Sequence, residues 1–130
     1  MKPKFRAWDT HEEVMNRVDY IDFANGIVGL SNENVKDYEQ PIHRVKFIQS
    51  TGLKDKNGVE IYEGDIVKCT DEEGEINKNN SDTGIGQVEW LSKWGFWNIS
   101  VIEHGLGDIL FHGYIEIIGN IYENEELLEV

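Results

Sequence analysis

Apolar and polar residues alternate along this chain in short runs, with turn-forming residues between them. Residues 4–8 place Phe5 and Ala7 on one side and Lys4, Arg6 and Trp8 on the other, the period of a half-covered strand. Asp9, Thr10, His11, Glu12 and Glu13 then make a polar reversal, with Asp9 or Thr10 as its cap. Residues 15–23, with Met15, Val18, Tyr20, Ile21 and Phe23, read as a strand partly covered on both faces. Asn25-Gly26 is a hairpin signal, and Ile27, Val28 and Leu30 form the return strand. Residues 31–40 are polar and acidic and read as an exposed loop. Ile42, Val45, Phe47 and Ile48 follow Pro41 as the next strand.

Residues 47–69 hold three turn signals between short apolar runs. Thr51-Gly52 breaks the run that Phe47 and Ile48 end. Asn57-Gly58 offers two positions tolerant of positive φ, as a type I′ turn requires. Glu63-Gly64-Asp65 is a third reversal, where Gly64 takes a backbone conformation closed to other residues. Ile66, Val67 and Cys69 open the strand beyond. Tight turns feeding short strands bend a sheet into a small barrel, and this stretch reads as the connector into one. Residues 70–84 are the most polar segment; with so few apolar groups to offset ordering, they are expected to form a mobile loop. Residues 85–90 and 96–102 alternate again, joined by Leu91, Ser92, Lys93, Trp94 and Gly95. In this reading Trp90, Trp97, Ile99 and Val101 point inward. Gly105, Leu106, Gly107 and Asp108 read as a flexible turn, with strands at 109–111 and 114–118. Gly119 falls where a bulge or corner is expected, and Asn124 caps a helical turn over 124–128.

Three pieces of the chain resemble one family. Thr51-Gly52-Leu53-Lys54-Asp55-Lys56-Asn57-Gly58, followed by Glu60-Ile61-Tyr62-Glu63-Gly64-Asp65-Ile66-Val67, is similar to the central motif of the YopX family of phage and prophage proteins. Lys4-Phe5-Arg6-Ala7-Trp8-Asp9 resembles the family's opening and Ile118-Gly119-Asn120-Ile121-Tyr122-Glu123-Asn124 its close. Ser50 stands where an aromatic is expected, and Glu125 where a proline is common. The resemblance implies a largely β protein with an SH3-like barrel, found in phages and prophages of Gram-positive bacteria. Residues 47–130 would form that barrel and residues 1–46 an N-terminal β-hairpin-rich extension. The family supplies no catalytic residues to carry over.

Composition narrows the rest. At 130 residues the chain suits one domain, or one barrel with a small appendage. Its single cysteine, Cys69, excludes an internal disulfide and a cysteine-based zinc cluster, and suits a reducing compartment. Residues 1–6 lack the apolar segment of a signal peptide behind them, and no run approaches the roughly 18 apolar residues of a membrane helix. The expected location is the cytoplasm of a bacterial host. With 25 acidic and 12 basic side chains, a net charge of −13, the surface repels phosphates and anionic lipids. It argues against nucleic acid or membrane as partner.

No residue set defines a reaction. His11, His43, His104 and His112 lack the spacing of a helical zinc site. Cys69 follows Val67 along one face of a strand as a small packed hydrophobe, since a reactive thiolate needs cationic neighbours. Glu60, Glu63 and Asp65 suit turn stabilisation better than acid–base work. Gly105 and Gly107 lack the strand–helix setting of a phosphate loop. No cofactor, metal or catalytic residue is expected. The remaining signal is aromatic: Trp90, Trp94, Phe96 and Trp97 crowd one hairpin. Trp94 and Phe96 sit at or beside its turn, where burial is hard, so Lys93, Trp94 and Phe96 are the candidate protein contact. The expected role is a non-enzymatic interaction module acting on a host or phage protein. The alternatives are self-assembly into a homo-oligomer through exposed strand edges, and an acidic mimic of nucleic acid that blocks a host DNA-binding protein.

Overall fold

Alternation does produce β-structure, in two antiparallel sheets. A computed structural model describes residues 5–112 and 114–128, with the backbone alone for 111 and 112. Lys4 and the side chain of His112, both named above, lie outside the described residues. The chain divides into one unit ending at Ser50 and a second starting at Thr51.

In the first unit, β1 (Phe5–Asp9), β2 (Val14–Asp22), β3 (Ile27–Ser31), β4 (Tyr38–Pro41) and the start of β5 (Val45–Lys54) pair in the order β4-β3-β2-β1-β5. Ala7, Val28 and Leu30 are buried, and Val18, Ile21, Tyr38, Val45 and Phe47 pack against them. Residues 38–41 form a strand where a loop was expected. Gln40 is buried there and donates to Asp9 at 3.0 Å, so a polar residue takes an inward position that hydropathy does not predict. The reversal after β1 forms as expected. Oδ1 of the fully buried Asp9 accepts the amides of His11 and Glu12 at 2.9 and 3.0 Å. Its Oδ2 accepts the Tyr38 hydroxyl at 2.9 Å. Burial pushes the Asp9 carboxyl up, but these donors outweigh it and hold the group below its ordinary value.

The second unit contains the end of β5, β6 (Glu60–Tyr62), β7 (Asp65–Thr70), β8 (Gly84–Leu91), β9 (Phe96–Ile99), α1 (Leu106–His112) and β10 (Tyr114–Asn120). Its four-stranded sheet runs β10-β7-β8-β9. Among the described residues no ladder joins β9 back to β10. The mainly β class holds, and the hydrogen bonding is that of an open sheet rather than a closed barrel. Ile61, Val67, Cys69, Val88, Ile99 and Ile115 form the core, joined by Leu106 and Ile109.

Three local expectations change. Gly52 has φ +78° yet lies inside β5, which runs on to Lys54. Thr51 Oγ1 donates to the Ile61 carbonyl at 2.7 Å, tying β5 to β6. The turn at Asn57-Gly58 is not type I′. Only Gly58 has positive φ, its amide bonds Asp55 O, and Asp55 N bonds Val59 O, the pattern of a type I turn followed by a glycine bulge. Residues 106–112 form a helix in place of a turn and a strand. Leu106, Ile109 and Leu110 recur at helical spacing, and all three meet the core; the two glycines masked that period. The bulge at Gly119 is present. The final turn also forms, as a 3-10 helix over Glu125–Leu128. Asn124 starts it through its carbonyl, which accepts Leu127 N, while its side chain accepts the Asn120 amide instead.

Candidate functional site

The β8–β9 hairpin carries the candidate contact. Val88 pairs with Ile99 and Trp90 with Trp97, so the two pairs share a face. Val88 and Ile99 are fully buried, but Trp90, on the same face, is 45% exposed. The inward position expected for Trp90 is therefore correct in face and wrong in depth. Trp97 does pack against the core. The two indoles meet edge to face, with centroids 5.0 Å apart at 63°.

Trp94 in the turn is 67% exposed and Phe96 41%. Lys93 Nζ lies 5.2 Å from the Trp94 ring centroid, a cation–π contact that holds the side chain over the ring. The structure thus brings Lys93, Trp94 and Phe96 to the tip and first strand position of one hairpin. The alternation expected through residue 102 stops at Ile99. Val101 turns out to solvent, 82% exposed, at φ +61°, a conformation strained for a β-branched residue.

That break swings the chain back across the hairpin. Glu103, His104, Gly105 and Asp108 come to line an open groove of about 560 Å³ together with Trp90, Phe96, Trp97 and Leu53. A Cβ at Gly105 would come within 3.1 Å of the Phe96 ring, so glycine is what lets the segment lie this close. Trp90, Phe96, Trp97, Glu103 and Asp108 all line it, Phe96 from the opposite hairpin face to the Trp90–Trp97 pair, and among the described residues no Lys or Arg does. Sequence reading missed the acidic lining, because Glu103 and Asp108 reach the groove only through the Val101 reversal and α1.

Residues 70–84 are organised by side-chain-to-backbone bonds. Asp71 Oδ1 accepts the amides of Glu73 and Glu75, each at 2.9 Å, and Thr83 Oγ1 donates to the carbonyls of Asn77 and Asn80. Hydrogen bonds do here what the missing apolar groups cannot. The segment also holds the groove wall. His104 Nδ1 lies 2.8 Å from Asp82 Oδ1, and the His104 amide donates to the same oxygen at 3.2 Å. Ser81 Oγ bonds Glu103. The Asp82 hydrogen bond and charge raise the affinity of His104 for its proton. Asp82, Glu103 and His104 bring ligand-type atoms within 4.8 Å of one another. Asp82 and His104 are already joined to each other, and Glu103 to Ser81, which accounts for their proximity as a tie between two loops.

The other sequence candidates take structural roles. Cys69 is fully buried in the core; burial, and then the Asp82 charge, push its thiol up to about 12. Asp65 is buried and accepts the Tyr62 amide at 2.8 Å. Gly64, at φ +85°, bonds Val88 O through its amide and Ile121 N through its carbonyl. Among the described residues no helix is long and apolar enough to cross a membrane.

These features define a mainly β chain whose distinctive surface is an acidic, aromatic-walled groove. The chain belongs to the YopX protein family, whose pattern matches residues 4–129. It is similar to protein EF1440 from Enterococcus faecalis, with 28% identity, a TM-score of 0.70, and coverage of 98% of this chain and 99% of that one. It is also similar to protein yopX from Bacillus subtilis, with 25% identity, a TM-score of 0.56, and coverage of 100% and 98%. None of the curated proteins matches it.

Proposed function

We propose that this chain is a non-enzymatic interaction module that docks a host or phage protein through its β8–β9 hairpin. The observation that carries this reading is the exposure of Trp90, Trp94 and Phe96 at one end of a hairpin. Strand pairing does not require aromatic rings in a turn, and large exposed aromatics are enriched where proteins bind proteins. The charge of −13 and the carboxylate residues that line the groove with the aromatics favour a partner with a basic surface.

The test is a pull-down from nuclease-treated host lysate with the tagged chain and its Trp94→Ala variant, washed at low and high salt. A single protein kept at high salt by the original chain and lost by Trp94→Ala, with an unchanged melting curve, supports the reading. Equal retention by the variant overturns this surface. A partner lost at high salt and indifferent to Trp94→Ala points instead to an acidic nucleic-acid mimic. Recovery of a second copy alone, with light scattering showing an oligomer, points to self-assembly. The position of β9 at the end of its sheet favours that outcome.

A further inference from the structure

We infer that the groove between the β8–β9 hairpin and the start of α1 receives an arginine side chain from the partner. This rests on the docking reading above and names the chemistry of its central contact. Trp90 and Phe96, both partly exposed aromatics, line the groove together with the carboxylate residues Glu103 and Asp108. A guanidinium is planar and weakly hydrated, so it stacks on an aromatic face while its edge donates to a carboxylate. No other side-chain class uses both kinds of lining group. An apolar side chain gives the carboxylates no partner, and an acidic one is repelled by them. Lysine carries the charge but not the plane, so it satisfies one kind of group at a time. Among the described residues the groove's one basic lining residue is His104, and the Asp82 carboxylate bound to its Nδ1 offsets its charge. Lys93, on the same hairpin, lies over Trp94 at the tip and does not line the groove.

The probe is tryptophan fluorescence of the full chain titrated with the peptide acetyl-Gly-Leu-Arg-Leu-Gly-amide. The same peptide with lysine, and with citrulline, serves as comparison. Citrulline keeps the shape and most of the plane but loses the charge. The expected result is saturable binding of the arginine peptide, at least about fivefold tighter than citrulline and tighter than lysine. That preference should disappear in the double variant Glu103→Gln with Asp108→Asn. Both residues are exposed, and a melting curve checks that the variant folds. Phe96→Leu should weaken the arginine peptide more than the lysine one. Equal binding of arginine and citrulline peptides overturns the inference, as does absence of saturation up to about 10 mM, well beyond the millimolar range of a weak contact. If Trp94→Ala abolishes partner capture while the arginine preference is absent, the docking reading stands and this inference alone fails. If neither is seen, both fail.

Discussion

Asp55 and Ile117 stand 62 residues apart and are joined directly: the Ile117 amide donates to Asp55 Oδ2 at 3.1 Å. The other carboxylate oxygen accepts the amides of Asn57 and Val59, each at 2.9 Å. One buried side chain therefore closes its own turn and clasps that turn to β10, beside the bulge between Ile117 and Gly119. The Lys56 amide adds a bond to the Ile115 carbonyl. β10 ends its sheet, so its outward amides lack a strand partner, and Asp55 supplies the acceptor that a neighbouring strand would otherwise give.

Replacing Asp55 with Ala leaves three backbone donors without this acceptor. Bonds to a carboxylate are stronger than neutral ones and the site is buried, so a loss of about 3 kcal/mol is expected. Asp55→Asn keeps the shape but one acceptor oxygen, and should lose less. Urea unfolding of the two variants against the original checks both the size and the order.

Asp9 and Tyr38 set opposite limits on stability as pH changes. The folded state holds the Asp9 carboxyl below its ordinary value of 3.8. Its contribution is thus present above that value and is lost as pH falls through the lower folded value. Burial, and then the hydrogen bond and charge of Asp9, push Tyr38 up from 10.0 to about 12. Tyr38 therefore contributes below pH 10 and loses that contribution as pH rises toward about 12. Urea midpoints across the pH range should fall at both ends. Asp9→Asn should flatten the acid limb, and Tyr38→Phe the alkaline one. An unchanged acid limb in Asp9→Asn would refute the assignment.

Val101 should be improvable. A β-branched residue at φ +61° is strained, and at 82% exposure its side chain gains little from burial. Asn tolerates this conformation at lower cost, so Val101→Asn should raise stability by about 1 kcal/mol. Thermal melting checks it. A lower melting temperature would mean that the Val101 side chain does more than its exposure suggests.

Local pattern was enough to determine the β class, most hairpin positions, the buried Cys69, the turn role of Asp65 and the exposed aromatics at residues 94 and 96. Each depends on a period of two or on a residue type whose backbone preference is strong, and both are written in neighbouring residues. Only the tertiary structure decided the rest. Leu106, Ile109 and Leu110 are spaced for a helix, but Gly105 and Gly107 argue locally against one. The core they cover outweighs that preference, because most of a short helix's stability comes from packing. Trp90 has the parity of an inward residue and is exposed although its cross-strand partner Trp97 packs on the core, a difference in cover that no alternation encodes. Gln40 and Asp55 are polar and buried because their partners, Asp9 and Ile117, come from distant positions in the chain. The groove follows the same rule. Its aromatic wall lies in one hairpin and could be read from it, while its carboxylates arrive through a strained reversal at Val101, and no local pattern carries that information.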